Sequence, residues 1–102
     1  MKGAAGLAFV ACCTGALAAD PPAPAKLPVC ITCHGQQGIS VAPDAPHLAA
    51  QPKIYLEQQL RAFRDGKRSH EVMNVVAKPL TDAEIEALAA WYAAIAIDVR
   101  KK

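Results

Sequence analysis

The sequence predicts a small all-α domain built from three to four short helices. Apolar residues recur at helical spacing, for example at Leu56, Leu60 and Phe63. No run alternates apolar and polar residues over the length that a strand needs. With 102 residues, the chain is predicted to form one domain at most.

The N-terminal residues predict export. A positive charge at Lys2 precedes an uncharged apolar stretch, and Ala16-Leu17-Ala18 has the small-x-small form of a secretory cleavage site. The apolar stretch is shorter than the roughly 20 residues of a spanning helix. We therefore expect a signal peptide over residues 1–19, cleaved after Ala18 or Ala19, a periplasmic location, and no integral membrane span in the mature chain.

Export also decides which cysteines remain. Cleavage would discard Cys12 and Cys13 and leave Cys30 and Cys33. An uncleaved membrane anchor, or a lipid anchor at Cys12 or Cys13, is a weaker alternative. We expect no disulfide in the mature chain.

The first predicted helix follows a proline-rich leader over residues 20–27. It starts near Pro28, because proline suits the first helical turn, and it stops at Gly35. A loop without periodicity follows. The second helix starts at Pro52 and ends at Asp65-Gly66.

Two further helices are predicted in the last third of the chain. A short one covers 71–77, with Val72, Val75 and Val76 pointing inward, and Pro79 follows it. The last begins with a capping box, in which Thr81 is the N-cap and Glu84 the third helical residue. We expect it to end near Asp98 and to be followed by a basic tail at 99–102.

The residues most informative about chemistry are Cys30-Ile31-Thr32-Cys33-His34, a Cys-x-x-Cys-His motif. This is the attachment signature of a c-type haem. Two cysteines three residues apart on a helical turn can both reach the vinyl groups of one porphyrin as thioethers. The histidine that follows can then present its imidazole to the iron.

Three other interpretations of the motif are weaker. A thioredoxin-type dithiol would lie in a βαβ pattern, which this sequence lacks. A zinc site would need a second pair of ligands at suitable spacing. A disulfide across two intervening residues would be strained.

A haem iron that only transfers electrons commonly has a second axial ligand. Met73 is the single methionine beyond the signal peptide, 39 residues after His34. We therefore predict His34 and Met73 as the two iron ligands. His70 as the second ligand and an open iron are the alternatives.

The net charge of the chain says little about its partners. Without Lys2, ten Lys and Arg residues stand against nine Asp and Glu residues. No basic patch typical of nucleic-acid binding is present. We expect transient redox partner proteins, a donor and an acceptor, and no nucleic acid.

Taken together, the motifs resemble those of class I cytochromes c, the small soluble bacterial monohaem kind, and one half of the dihaem carriers. The similarity rests on CITCHG, APHLAAQ, IYLEQQLRAFRDGKR, the Met73 region and PLTDAEIEALAAWYA. The resemblance implies a class I cytochrome c fold over residues 28–98. It implies one haem c, bound covalently through Cys30 and Cys33.

The resemblance also implies roles for other residues. The carbonyl of Pro46 would accept the Nδ1–H of His34, and Asn74 could donate a hydrogen bond to the thioether. Arg68 or Gln59 could bind a propionate. The chain departs from many relatives in carrying His47 after Pro46, so we expect that His47 could lie near the haem face without binding iron. The remaining pocket residues would be Leu48, Tyr55, Leu60 and Phe63.

We therefore expect a monomeric electron carrier without catalytic residues of its own. One alternative is a haem c subunit fixed in a larger redox enzyme. A haem sensor with an open iron is another.

Overall fold

The computed structural model describes residues 3, 5, 6, 8 and 20–100. In this part the chain is all-helical, with no strand, which confirms the predicted fold class. The expected cleavage site, Cys12, Cys13 and the last two residues of the basic tail lie outside the described residues. None of the helices in the described part is long and apolar enough to cross a membrane.

The first helix, α1, spans Leu27–His34. It begins one residue before the expected Pro28, with Lys26 at the N-cap, and ends at Gly35 as predicted. Gly35 has a φ of 80°, and a Cβ there would collide with the carbonyl oxygen of Ile39. Glycine is therefore required at this helix end.

The second and third helices are α2, Lys53–Arg64, and α3, Glu71–Ala77. The bounds of α3 agree with the prediction, but two of its valines do not point inward. Val72 is 49% and Val75 73% exposed, because both lie on the rim of a cavity and not in the core. Helix α2 packs against both α3 and the last helix.

The last helix, α4, spans Asp82–Ala93 and starts with the predicted capping box. Thr81 Oγ1 accepts a hydrogen bond from the Glu84 backbone N–H at 3.1 Å, and a Glu84 carboxylate oxygen accepts one from the Thr81 N–H at 3.0 Å. These bonds satisfy N–H groups that have no partner within the helix.

The expected end of α4 near Asp98 is wrong. The Tyr92 carbonyl accepts from the backbone N–H of Ala50 at 3.0 Å and from that of Ile95 at 3.2 Å. The bond from Ile95 spans only three residues, so the helix tightens there and stops. A loop that packs on the helix therefore ends it before the apolar pattern ends.

The core lies where α2 and α4 meet. Ile85 and Leu88 of α4 are fully buried, and Leu56 and Phe63 of α2 pack with them in one cluster. Leu27 of α1 joins the same cluster. All the described helices thus share one apolar core, and its surface continues into the cavity described next.

Candidate functional site

A cavity of about 490 Å³ lies beside the core, which is within the range of small-molecule and cofactor pockets. Residues from all four helices and from the loop between α1 and α2 line it. The nine residues predicted to bind or surround the haem all lie in its wall: Cys30, Cys33, His34, Pro46, Leu48, Tyr55, Leu60, Phe63 and Met73. The structure therefore brings together residues that are up to 43 positions apart in the sequence.

His34, the last residue of α1, is held in a defined orientation. The residue is only 7% exposed, and its Nδ1 lies 2.8 Å from the carbonyl oxygen of Pro46. A carbonyl can only accept, so Nδ1 carries the proton and Nε2 keeps its lone pair. This is the hydrogen bond that the sequence resemblance implies, and it prepares Nε2 to bind a metal.

The loop that supplies Pro46 is tied back to α1 and to its own glycine. Gly38, with a φ of 73°, accepts hydrogen bonds from the backbone N–H groups of Leu48 and Ala49. Val41 donates to the carbonyl of Cys33 at 3.0 Å. The Pro46 carbonyl is therefore positioned by backbone hydrogen bonds on both sides of it.

Both cysteines of the motif line the cavity and are partly buried. Burial raises the pKa of the Cys30 thiol to about 11. Thioredoxin-type dithiols depend on a lowered thiol pKa, so this environment disfavours that interpretation. The described residues also contain no group of three or more His, Cys, Asp or Glu side chains that could form a zinc site.

Met73 lies on α3 and lines the same cavity as His34. Its backbone N–H donates to Nδ1 of His70 at 3.2 Å, so the imidazole of His70 is the N-cap of α3. The other ring nitrogen of His70 faces the Asp44 carboxylate at 3.6 Å. His70 thus has a structural partner on each nitrogen, which favours Met73 as the second iron ligand.

Asn74 does not orient the Met73 sulfur as the resemblance suggested. Its amide nitrogen donates to the backbone carbonyls of Phe63 at 2.9 Å and Arg68 at 2.8 Å. An amide has two hydrogens to donate, and both have partners here. Asn74 therefore donates to the backbone of this region, and no hydrogen of its amide is free for the Met73 thioether.

Arg68 and Gln59 meet at the edge of the cavity. Arg68 Nη1 donates to Gln59 Oε1 at 2.6 Å, and its guanidinium lies 4.6 Å from the centre of the Phe63 ring. Both residues line the cavity. A cation at this position is suited to a carboxylate of a bound group, as a cofactor propionate would supply.

His47 is exposed and lies outside the cavity wall. Its Nδ1 accepts from the backbone N–H of Ser40 at 2.8 Å. Its backbone carbonyl accepts from Gln51 Nε2 at 2.8 Å. The observed role of His47 is to stabilise the loop that carries Pro46.

Sequence reasoning missed the wall that α4 contributes. Leu88, Ala89 and Tyr92 line the cavity and also belong to the core. Tyr92 is 2% exposed, and its hydroxyl has no hydrogen-bond partner within the part of the chain described. Burial, and next the neighbouring Cys30, raises the pKa of this hydroxyl. The helical spacing of Leu88, Ala89 and Tyr92 predicted that they are buried, but it could not distinguish the core from the cavity wall.

The donors on this wall fit haem c. Two thiols, an imidazole with a free Nε2 and a thioether face one cavity whose lining is mainly apolar. Thiols can form the covalent links, and the two other groups are axial ligands found in cytochromes c. The buried Tyr92 hydroxyl adds a polar group that a bound partner can satisfy.

Comparison with known proteins decides the family. Residues 25–94 match the profile of the cytochrome c family, described as "Cytochrome c". The chain belongs to the cytochrome c family. It therefore carries haem c, attached covalently through Cys30 and Cys33.

Individual cytochromes support this assignment. The chain is 48% identical over 65 residues to cytochrome c4 of Thiocapsa roseopersicina, a match that covers 64% of this chain and 33% of the relative. It is 39% identical over 70 residues to cytochrome c-554(548) of Halomonas halodenitrificans, covering 66% and 84%. The similarity to one half of the dihaem carriers is thereby confirmed.

Two further relatives bear on function. The chain is 47% identical over 76 residues to the thiosulfate dehydrogenase electron acceptor of Thiomonas intermedia, covering 74% of this chain and 34% of that protein. The solved cytochrome c4 of Acidithiobacillus ferrooxidans matches with a TM-score of 0.61 and 39% identity, covering 65% and 38%. This neighbour confirms the class I cytochrome c fold. The chain spans about a third of the length of several of these relatives.

Proposed function

We propose that the protein is a periplasmic electron carrier whose haem iron is closed on both faces by His34 and Met73. The observation that carries the proposal is that one cavity is lined by Cys30, Cys33, His34 and Met73 together. A bound haem supplies a one-electron ferric/ferrous couple. The remaining steps depend on what the residues of this chain do.

The two proposed ligands have different chemical effects. His34 presents Nε2, because Pro46 holds Nδ1–H, and this hydrogen bond strengthens the imidazole as a donor. The thioether of Met73 favours the ferrous state and so raises the reduction potential relative to a second histidine. With His34 and Met73 both bound to the iron, substrates would have no free coordination position, and the protein would exchange electrons without binding a substrate at the metal.

The cavity wall supports this role by keeping water away. Leu56, Leu80 and Leu88 line it and are buried. Arg68 lies at its edge, where a propionate can be paired. Low polarity around the site limits the reorganisation of solvent that accompanies a change of charge on the iron. Electron transfer of this kind would need no catalytic side chain.

Partners follow from the relatives as part of the proposal. We propose transient contacts of a monomer with a donor and an acceptor protein, through small interfaces. The match to an electron acceptor of thiosulfate dehydrogenase favours a second candidate, in which the chain is the haem c subunit that receives electrons from an oxidising enzyme. Purification alone supports the free carrier, whereas stable co-purification with a catalytic subunit supports the second candidate.

The test of a closed iron is carbon monoxide binding to the ferrous protein. We expect the wild type to show a reduced haem c spectrum that carbon monoxide leaves unchanged, and Met73→Ala to bind the gas. Binding by the wild type would contradict the closed site and favour the sensor. The intact mass checks for one haem, and the N-terminal residue of the periplasmic fraction tests cleavage after Ala18 or Ala19.

A further inference from the structure

The side chain of Asn74 joins three parts of the chain around Met73. Its Oδ1 accepts from the backbone N–H of His70 at 2.7 Å. Its Nδ2 donates to the carbonyl of Phe63 in α2 and to that of Arg68 in the following turn. One amide thereby ties α3 and its N-cap residue to the end of α2, using both of its hydrogens.

The side chain of His70 forms the second tie. Its Nδ1 accepts from the backbone N–H of Met73, while its ring lies edge-on to Phe63 with centroids 6.5 Å apart at 73°. Its Nε2 faces Asp44, on the loop that follows α1. The ring is thus held from three directions while it caps the turn that carries Met73.

These contacts matter because α3 is not a stable helix by itself and because the Met73 thioether would bind ferric iron only weakly. Helix α3 has seven residues, too few to be stable without tertiary contacts. A thioether is a poor donor to ferric iron, so an open backbone would give up the ligand easily. The contacts that hold the Met73 backbone would therefore determine how often the ferric iron lacks its thioether ligand.

We propose that His70 and Asn74 are positioning residues that hold the Met73 segment (residues 69–77) closed, and so keep the Met73 thioether on the ferric iron. The inference rests on the proposed His34 and Met73 ligation and adds the residues that maintain it. His70 acts through the Met73 backbone and does not bind iron. Asn74 acts through the backbone of His70 and through its anchors on Phe63 and Arg68.

The proposal is tested by titrating imidazole into the ferric, haem-loaded protein. Imidazole binds iron only when the Met73 segment opens, so its apparent Kd depends on the open fraction. Losing a tie raises that fraction. We expect Asn74→Ala and His70→Ala each to tighten the apparent Kd by about tenfold, the factor that follows from lost hydrogen bonds at a closed segment.

Two variants control for other causes. His70→Ser keeps an oxygen that can cap α3 but no nitrogen that can bind iron, and we expect it to restore most of the wild-type Kd. Thr81→Ala removes the cap of α4, outside the Met73 segment. We expect Thr81→Ala to lower the melting temperature while leaving the imidazole Kd within about twofold of wild type, as independent sites do.

The near-infrared band from sulfur-to-ferric-iron charge transfer separates two kinds of failure. If the wild type lacks the band, the Met73 ligation is wrong, and the proposed role of His70 and Asn74 is overturned with it. If the band is present but Asn74→Ala and His70→Ala keep the wild-type Kd, only the proposed role of His70 and Asn74 is overturned. The Met73 ligation is then still supported. Equal tightening in Thr81→Ala would also overturn the proposed role of His70 and Asn74, since the effect would then be general destabilisation.

Discussion

At the scale of single residues, the site depends on backbone groups placed by local geometry. The Pro46 carbonyl reaches His34 because the intervening loop folds back over Gly38, which accepts two backbone hydrogen bonds with a φ of 73°. A Cβ at Gly38 would lie 2.8 Å from the backbone nitrogen of Ala49 and 3.0 Å from the ring of Tyr92. The same glycine therefore serves the loop and its packing on α4.

Gly38→Ala is expected to lower the free energy of unfolding by about 2–4 kcal/mol, from a positive φ and a close contact together. Gly66 is the matched control, because its φ is 75° but no atom lies within 4 Å of a Cβ built there. Gly66→Ala should cost only about 1 kcal/mol, from the backbone conformation alone. Denaturant unfolding of the haem-loaded variants measures both values, and equal losses would contradict the role given to the contact.

At the scale of secondary-structure elements, helix boundaries set by adjacent residues are predictable from the sequence, whereas the end of α4 is not. The capping box of α4 is written in adjacent residues, so Thr81 and Glu84 identified it directly. The end of α4 depends on Ala50, which bonds to the Tyr92 carbonyl from 42 residues away in the chain. Such a contact leaves no trace in the periodicity of the helix itself.

The N-cap of α3, like the end of α4, could not be predicted from the sequence. A histidine is an unusual N-cap, so sequence reasoning considered His70 only as a possible iron ligand. The roles of Cys30, Cys33 and His34 could be read from one motif because their spacing reflects one turn of helix. The places of His70 and Asn74 depend on how the turn after α2 folds, which their spacing does not encode.

The start of α4 is expected to make stability depend on pH. Hydrogen bonding to Arg64 lowers the pKa of Asp82, and hydrogen bonding to the Thr81 backbone lowers that of Glu84. A lowered pKa in the folded state gives stability that is present above the ordinary values of 3.8 and 4.5 and is lost as the pH falls through the lowered ones. The free energy of unfolding should therefore decline on acidification in this range.

A double variant isolates this contribution. Asp82→Asn with Glu84→Gln should be less stable than wild type near neutral pH, and the difference should shrink as the pH falls below the ordinary values of 4.5 and 3.8. Asp98→Asn is the control, since Asp98 lies beyond α4 with no ion pair among residues 20–100. A difference between double variant and wild type that stays constant across this range would contradict the assignment.

At the scale of the whole molecule, the cavity wall and the core share several side chains. Leu56, Phe63 and Leu88 belong both to the core cluster and to the cavity wall. A domain of this size buries too little apolar surface to be very stable by its core alone. We therefore expect the bound haem to complete the apolar interior and to contribute to folding as well as to function.

The haem-free chain should therefore be poorly folded. Cys30→Ala with Cys33→Ala prevents covalent attachment while leaving His34 and Met73 in place. We expect this variant, purified without haem, to show reduced helicity by circular dichroism and no cooperative thermal transition. The haem-loaded wild type is the control and should melt cooperatively. A cooperative transition with native helicity in the haem-free variant would show that the core suffices.

The central claim is that His34 and Met73 together close the iron, and the near-infrared spectrum of the ferric protein tests it most directly. Met73→Leu keeps the volume of the side chain but removes the sulfur, and His70→Ser removes the other nearby candidate ligand while keeping the cap of α3. The account predicts a sulfur-to-iron charge-transfer band in the wild type and in His70→Ser, and its absence in Met73→Leu. A wild type without the band, or a band that survives in Met73→Leu, would contradict it.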